Sequence, residues 1–186
     1  MNTNLAQAFA AAPRHLFLRE SEREYAAADA PLPIGYGVTN SQPTTVVNML
    51  ELLDVSPGQK VLDVGAGSGW TAALLAELVG SDGQVVGVER IPELVERANE
   101  ALQPWPNAKV EEAIPGTFGI PEEGPFDRIL VSAMAGTLPT ELVDQLAPGG
   151  VMVVPVRSVM TRVQRTADDQ LQVTRHGMYS FVPLLG

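Results

Sequence analysis

The chain alternates between short, continuous apolar runs and longer segments in which apolar residues recur at helical spacing. The short runs predict buried strands, and the longer segments predict helices. Strands are expected at 60–64, 85–89, 109–113, 126–133 and 151–156. Helices are expected at 4–12, 44–55, 71–79, 92–102 and 139–146. This alternation predicts an α/β fold with a doubly wound, mostly parallel, Rossmann-like sheet in three α/β/α layers.

Three segments depart from this alternation. Residues 161–166 and 171–182 are β-rich, and we expect them to add an antiparallel edge at the C-terminal side of the sheet. Residues 14–42 have no long periodic segment and carry several prolines and glycines, which is typical of an ordered loop. A loop of this length inside a compact domain is usually functional or disordered. Its apolar residues favour a functional loop that is anchored on the domain.

The composition fits a single globular domain spanning residues 1–186. Hydrophobic residues make up 45% and charged residues 18% of the chain, which is close to ordinary globular usage. The absence of cysteine excludes disulfides, thiolate zinc sites and cysteine nucleophiles. His15 and His176 are the only histidines, so a histidine-rich metal site is not expected, and we predict no bound metal.

The charge and hydropathy of the chain limit its partners. The formal charge of −10 would oppose binding to a phosphate backbone, so nucleic acid is not expected as a partner. No apolar run reaches the roughly 18–20 residues that span a bilayer, and the start MNTNLAQAFAAAPRH lacks the features of a secretory signal. These features predict a soluble cytoplasmic protein with no membrane partner. No surplus apolar helix is available for an interface, so we expect a monomer.

The stretch VLDVGAGSGW, residues 61–70, places Gly65, Gly67 and Gly69 directly between a predicted strand and a predicted helix. Glycine permits positive φ angles and lets the backbone approach a ligand closely. In an open parallel sheet, ligands bind at the carboxyl ends of the strands, where this loop is expected to lie. The loop is therefore a candidate cofactor site, although a tight turn without a ligand would use the same glycines.

Two cofactor classes compete for this loop, a dinucleotide and S-adenosylmethionine. The dinucleotide fingerprint is G-x-G-x-x-G, whereas here the third glycine comes one residue early and Trp70 takes its place. Asp63, at the carboxyl end of the strand, would repel a pyrophosphate but attract the ammonium group of S-adenosylmethionine. Glu89, at the end of the next strand, can accept hydrogen bonds from both ribose hydroxyls. The pattern favours S-adenosylmethionine over NAD.

Six segments, in order along nearly the whole chain, resemble the protein-L-isoaspartate O-methyltransferases. The most specific is PLPIGYGVTNSQP at 31–43, and the others are VLDVGAGSGW, VERIPELVERA, PFDRILVSA, DQLAPGGVMVVPV and FVPL. The resemblance implies that S-adenosylmethionine is the cofactor and that the acceptor is the α-carboxylate of L-isoaspartyl residues in damaged proteins or peptides. The ester would cyclise to a succinimide, whose hydrolysis returns some normal aspartate. Such an acceptor is already ionised at neutral pH, so no general base is required.

The resemblance also assigns roles to individual residues. Residues 1–42 would supply an N-terminal helix and a substrate-binding loop, and residues 43–186 would form the Rossmann-like core. Ser41 would be the active-site hydroxyl with Thr39 beside it, although from the residues alone Ser41 could equally cap the helix that follows Pro43. The substrate-binding residues would be Pro33, Ile34, Gly35, Val38 and Asn40. The cofactor would be held by Asp63, Gly65, Ala66, Gly67, Ser68, Gly69, Glu89, Arg90, Gly116 and Thr117.

The chain departs from the family pattern in two places. Ile114, Pro115 and Gly116 stand where family members carry G-D-G, so the acid that contacts the adenine end is missing. The backbone near Gly116 and Thr117 would have to serve instead. Asn40 replaces the usual Ile. These departures leave two alternatives open, a methyltransferase for another peptide or small-molecule carboxylate and a protein that binds S-adenosylmethionine without turnover.

The two tryptophans are interpreted as packing residues. Trp70 is expected to pack its helix against the N-terminal segment, with a contact to the cofactor as the alternative. Trp105, between Pro104 and Pro106, is expected to anchor a loop. Neither histidine has a nearby partner in the sequence, so neither is assigned a catalytic role.

Overall fold

The strands form two sheets in the structure, a computed structural model that describes residues 3–186. β1 (Leu32–Gly35) and β2 (Val38–Asn40) pair as a small antiparallel hairpin. The larger sheet contains β3 (Lys60–Val64), β4 (Gln84–Glu89), β5 (Ala108–Glu112), β6 (Phe126–Val131), β7 (Leu146–Val156), β8 (Val159–Arg165) and β9 (Leu171–Met178). Its order is β5-β4-β3-β6-β7-β8-β9, with parallel pairing from β5 to β7 and antiparallel pairing beyond. The predicted doubly wound, mostly parallel sheet with an antiparallel C-terminal edge is confirmed.

Helices cover both faces of the large sheet. They are α1 (Thr3–Ala11), α2 (Pro43–Leu53), α3 (Trp70–Val79), α4 (Pro92–Ala101) and α5 (Thr140–Val143). Successive strand residues face opposite layers, so Val61 packs with α1, α2 and α3, whereas Leu62 packs with α5. The central strands β3, β4 and β6 are mostly apolar because both of their faces are buried, whereas β9 at the edge is exposed along most of its length. No helix within the described residues is long and apolar enough to cross a membrane.

Helix α5 and strand β7 differ from their predicted bounds. The apolar pattern predicts a helix over 139–146 and a strand over 151–156, but α5 has only four residues and β7 has eleven. Leu146 pairs with Phe126 of β6, and the register then shifts before the next pairs form. Gly149, with a φ of 82°, permits the backbone irregularity through which one strand continues. The predicted helix is too long because its last residue joins the ladder instead.

The predicted loop at 14–42 has more regular structure than its sequence indicates. It contains two 3-10 turns, Arg14–Phe17 and Glu20–Tyr25, before the β1–β2 hairpin. The hairpin is too short for a periodic signal, but Leu32 and Ile34 are buried on one side of β1. These two side chains pack with α4 and hold the hairpin beside the carboxyl ends of β3 and β4.

Both tryptophans are packing residues, as predicted. Trp70 is 3% exposed, and its Nε1 donates a hydrogen bond to the carbonyl oxygen of Ala12 at 3.0 Å. The ring of Phe9 packs edge-on against the same indole. Trp105 Nε1 donates to a carboxylate oxygen of Glu77 at 2.6 Å and so anchors the loop after α4 on α3. The Trp70 contacts attach the N-terminal segment to the start of α3, next to the glycine loop.

Candidate active site

A cavity of about 350 Å³ opens at the carboxyl ends of β3, β4 and β6. β3 pairs with β4 on one side and with β6 on the other, so the direction of winding across the sheet reverses here. Such switch points are where open α/β sheets bind ligands. The strand ends contribute Gly65, Glu89 and Ser132 to the cavity wall, and the β1–β2 hairpin contributes another side. The cavity lies where the sequence predicts the cofactor.

The loop between β3 and α3 contains three glycines in left-handed backbone conformations, Gly65, Gly67 and Gly69. The Gly65 N–H donates to the carbonyl oxygen of Val88 at 2.9 Å, which ties the loop to β4. A Cβ atom on Gly67 would lie 3.3 Å from Cδ1 of Ile34 in the hairpin, so a larger residue would displace that side chain. Backbone conformation and close packing therefore both require glycine in this loop.

Asp63 is fully buried at the carboxyl end of β3. Its Oδ2 accepts a hydrogen bond from the Thr71 hydroxyl at 2.5 Å, whereas its Oδ1 has no hydrogen-bond partner among the described residues. Burial raises the pKa of Asp63 to about 7, the Thr71 hydrogen bond opposes that rise, and the charge of Glu89 adds to it. Thr71 also lines a small cavity of about 40 Å³ beside the glycine loop. A buried carboxyl with an unsatisfied oxygen at this place fits a cationic ligand group.

Glu89 is the last residue of β4. It is 9% exposed and lines the main cavity. Its Oε2 accepts a hydrogen bond from the Gly67 N–H at 3.0 Å. Its Oε1 accepts from the N–H groups of Arg90 and Ile91 at 2.7 and 3.1 Å. Each carboxylate oxygen can accept more than one hydrogen bond, so capacity remains for ribose hydroxyls. The structure adds a second role, because Glu89 joins the glycine loop to the start of α4.

The far end of the main cavity is mostly apolar, with walls from Val88, Ala113, Phe118 and Leu184. In the turn that precedes this wall, the Thr117 N–H donates to the carbonyl oxygen of Ile114 at 3.0 Å. Pro115 and Gly116, which has a φ of 80°, occupy the central positions of this turn, a pattern typical of a type II turn. Pro115 is thus compatible with the local backbone. Thr117 lines the cavity and offers a hydroxyl there, whereas Gly116 lies outside the wall.

Thr39 and Ser41 line a second groove, which adjoins the main cavity and carries mostly hydroxyl and amide side chains. This groove has a volume of about 590 Å³ and is lined by both residues, by Ser132 and by segment 178–182. Hydroxyl and amide side chains from the start of α2 complete its wall. Thr39 also lines the main cavity, so the two spaces adjoin at this residue. The arrangement places a polar groove directly beside the predicted cofactor cavity.

Ser41 does not cap α2. The helix begins at Pro43, and the Thr44 N–H donates instead to Oδ1 of Asp29 at 2.9 Å. The same carboxylate accepts from the Thr44 hydroxyl at 2.8 Å and from Nε2 of Gln42 at 3.0 Å. The backbone hydrogen bond from Thr44, followed by these two, lowers the pKa of Asp29. Because a distant residue supplies the cap, the Ser41 hydroxyl is left for the groove.

The chain is similar to known proteins over nearly its whole length. The family described as protein-L-isoaspartate(D-aspartate) O-methyltransferase (PCMT) matches residues 1–186. This chain belongs to that family. It is 47% identical to the protein-L-isoaspartate O-methyltransferase of Methanopyrus kandleri, with 100% of this chain and 84% of that protein covered. It is 48% identical to the enzyme of that name from Aeropyrum pernix, with 97% of this chain and 72% of that protein covered.

A solved structure agrees with the family and the fold. It is a candidate protein-L-isoaspartate O-methyltransferase from Plasmodium falciparum in complex with S-adenosyl-L-homocysteine. It superposes with a TM-score of 0.85 at 27% identity and covers 98% of this chain and 90% of its own. The family resemblance and the Rossmann-like fold predicted from the sequence are both confirmed.

Only some of the residues predicted to bind substrate line the main cavity. Ile34 and Val38 line the main cavity, and Gly35 begins the tight turn of the hairpin. Pro33 is exposed on β1, outside the cavity walls. Asn40 is 5% exposed and reaches only the small cavity beside the glycine loop. Its side chain is occupied by hydrogen bonds within the protein, which does not support direct contact with the substrate.

The cofactor residues expected in this methyltransferase come together around the glycine loop. Gly65, Gly67, Glu89, Arg90 and Thr117 line the main cavity, and Ala66 and Ser68 line the small cavity. Asp63 lines none of the three cavities and is connected to the small cavity only through its hydrogen bond with Thr71. Gly69 and Gly116 lie outside these walls, and Gly69 has a packing role because a Cβ there would approach Ala98 at 3.2 Å.

Three side chains with a hydroxyl group, Tyr36, Thr71 and Ser132, line the main or the small cavity but were not predicted as site residues. Tyr36 lies between the two glycines of PLPIGYG, and Ser132 lies at the carboxyl end of the strand within PFDRILVSA, so both had a usable signal. No sequence signal marks Thr71, because its hydroxyl reaches Asp63 only through the turn of the glycine loop.

Proposed function

We propose that this protein transfers a methyl group from S-adenosylmethionine to the α-carboxylate of L-isoaspartyl residues in damaged proteins or peptides, the first step in their repair. The observation that carries the proposal is the junction of the predicted cofactor cavity with a polar groove at Thr39. Family membership over the whole chain supports the choice of acceptor, since the curated relatives are named for this reaction.

The residues around the main cavity fit S-adenosylmethionine. Asp63, with its unpaired buried oxygen and its partner Thr71, would hold the ammonium group. Glu89 would accept the ribose hydroxyls, and the apolar wall beside Phe118 would receive the adenine, with the Thr117 hydroxyl as its polar contact. When bound, the cofactor supplies a methyl group on a positively charged sulfonium, which is a strong electrophile.

The acceptor requires positioning more than activation. A carboxylate is ionised at neutral pH, so no side chain has to remove its proton. The hydroxyls of Ser41 and Thr39 would orient the acceptor by donating hydrogen bonds, and the β1–β2 hairpin would exclude water from the junction. This division of labour agrees with a groove built largely from hydroxyl and amide side chains.

A matched pair of peptides tests the proposal. The peptides differ only in an isoaspartyl or an aspartyl linkage, and each is incubated with the protein and radiolabelled S-adenosylmethionine. Base-labile methyl ester is expected on the isoaspartyl peptide alone. Cofactor binding by calorimetry without methylation of either peptide would favour another carboxylate acceptor or a binding protein without turnover. Absence of cofactor binding would contradict the cofactor assignment.

We further propose that residues 1–186 form one domain, that the protein acts as a monomer in the cytoplasm, and that nucleic acid is not its partner. The formal charge of −10 supports the last point. Light scattering should give the mass of one chain, and thermal unfolding should show one cooperative transition. A dimer mass, or retention of duplex DNA or RNA on filters at low salt, would contradict the corresponding part of the proposal.

A further inference from the structure

Arg14 is 6% exposed although it carries a charge. Its Nε donates to Oδ1 of Asn40 at 2.7 Å, and its Nη2 donates to the carbonyl oxygens of Asn40 and Ser41 at 3.2 and 2.9 Å. The guanidinium also donates to the carbonyl oxygens of Ala26, Ala28 and Ala30. A buried charge is tolerated only when such hydrogen bonds replace its hydration. One side chain therefore binds the backbone at Asn40 and Ser41. We term residues 38–41 the acceptor segment.

Asn40 extends this network into the glycine loop. While its Oδ1 accepts from Arg14, its Nδ2 donates to Oγ of Ser68 at 3.2 Å. All three side chains are buried. An amide supplies a donor and an acceptor at once, whereas an aliphatic residue at this position would break both links. The acceptor segment and the glycine loop are thus joined by a buried chain of hydrogen bonds.

A second contact connects Arg14 to the same loop. Its guanidinium carbon lies 5.4 Å from the ring centroid of Trp70, within the range of a cation–π interaction. Trp70 directly follows Gly69 and begins α3. Arg14 therefore contacts the acceptor segment and the end of the glycine loop at the same time, although it lies outside the walls of both cavities.

We propose that Arg14 and Asn40 are positioning residues that couple the cofactor site to the acceptor segment, so that filling the cofactor site orders Thr39 and Ser41. The inference rests on the proposed function for the identity of the cofactor. A ligand beside Ser68 restrains that hydroxyl, which restrains Asn40 and, with Arg14, the backbone of Ser41. Coupling between binding sites is reciprocal, so an isoaspartyl peptide would tighten cofactor binding by the same factor.

Hydrogen exchange with S-adenosylhomocysteine as the ligand tests the coupling without any acceptor. Asn40→Ile removes both side-chain links and keeps a side chain of similar size. Asn107→Ile is the matched control, because it makes the same change at a half-buried amide that binds the carbonyl oxygens of Ala76 and Gly80, away from the site. In the wild type and the control, the ligand should slow amide exchange of residues 38–42 about fivefold or more. In Asn40→Ile the slowing should be below about twofold, while calorimetry still detects ligand binding.

Full protection of 38–42 in Asn40→Ile would overturn the coupling. Failure of the wild type to bind S-adenosylhomocysteine would overturn the cofactor assignment and the coupling with it. If the ligand slows exchange of residues 38–42 in the wild type but no isoaspartyl peptide is methylated, only the proposed acceptor would be overturned. The failure of each proposal is therefore distinguishable.

Arg14→Lys gives an independent readout, because it keeps the charge but loses the planar fork that binds several carbonyl oxygens. We expect the KM for an isoaspartyl peptide to rise about tenfold while the Kd of S-adenosylhomocysteine alone stays within about threefold. Saturating peptide should tighten that Kd about tenfold in the wild type and leave it unchanged in the variant. Equal tightening in both proteins would contradict the role of Arg14.

Discussion

The glycine loop and the acceptor segment lie side by side, but different contacts hold them in shape. The glycine loop depends on its own backbone, with positive φ angles at its glycines and a hydrogen bond to the adjacent strand at Val88. The acceptor segment depends on Arg14, which bonds to Asn40, 26 positions further along the chain, and the start of α2 depends on Asp29, which bonds to Thr44, 15 positions further along. The cofactor site is thus encoded locally, whereas the acceptor site depends on a separate N-terminal segment.

The two regions also place a carboxyl group in opposite environments. Asp63, behind the glycine loop, is buried and has a raised pKa, whereas Asp29, beside the acceptor segment, is exposed and has a lowered pKa. The stability of the two regions should therefore respond to pH in opposite directions. Variants that remove one carboxyl at a time separate the two responses.

The largest effect is expected from Asp63→Asn. The folded-state pKa of about 7 exceeds the ordinary value of 3.8, so the wild type loses free energy of unfolding as pH rises from about 4 to about 7. The difference between these two pKa values corresponds to roughly 4 kcal/mol of unfolding free energy as an upper value. The variant cannot ionise there, so it should gain stability relative to the wild type over this pH range in urea denaturation. The exposed Asp82→Asn is the control, and parallel curves for Asp63→Asn and wild type would contradict the effect.

Gly67→Val should have the next largest effect. The substitution combines an unfavourable φ of 56° with a Cβ only 3.3 Å from Ile34, at a cost of roughly 3 kcal/mol. We expect the affinity for S-adenosylhomocysteine to fall at least about 100-fold in calorimetry. Gly116→Val is the matched control, because its φ is 80° but no atom lies within 4 Å of the added Cβ. An equal loss of affinity in both variants would show that backbone strain alone is responsible.

Ser41→Ala tests the acceptor side. Loss of a hydroxyl that orients the reacting group should lower kcat for an isoaspartyl peptide about 100-fold, while the Kd of S-adenosylhomocysteine stays within about twofold. The melting temperature should not change, because Asp29 caps α2. Ser81→Ala, on the surface before β4, is the control. A lower melting temperature with unchanged kcat would instead restore the capping role of Ser41.

Asp29→Ala should have the smallest effect. Its folded-state pKa is lowered, so the carboxylate contributes stability above its ordinary pKa and loses that contribution as pH falls through the folded-state value. We expect a melting temperature a few degrees lower at neutral pH and a difference that closes in acid. Asp82→Ala should show neither change. A difference that is constant with pH would mean that packing, rather than the charge, is lost.

The fold was largely predictable because its signals are local. Apolar runs mark the strands, and Gly80 ends α3 with a φ of 67°, as expected. The helix predicted at 139–146 was too long, because its last residue, Leu146, pairs with Phe126 of β6 instead. The acceptor site was predictable only by resemblance, because no local pattern shows that Arg14 is buried or that Asp29 caps α2. Asn40 was predicted to bind substrate because no local pattern connects it to its hydrogen-bond partners, Arg14 and Ser68, which come from two distant segments.

The position of Trp70 gives the protein its own optical reporter. The indole lies under the Arg14 guanidinium and directly after the glycine loop, and the emission of an indole responds to a nearby charge. Trp105, fixed to Glu77 away from the cavities, provides a constant background signal. Replacement of S-adenosylhomocysteine by S-adenosylmethionine should therefore be measurable in real time from intrinsic tryptophan fluorescence. The measurement needs no label and can be made during turnover.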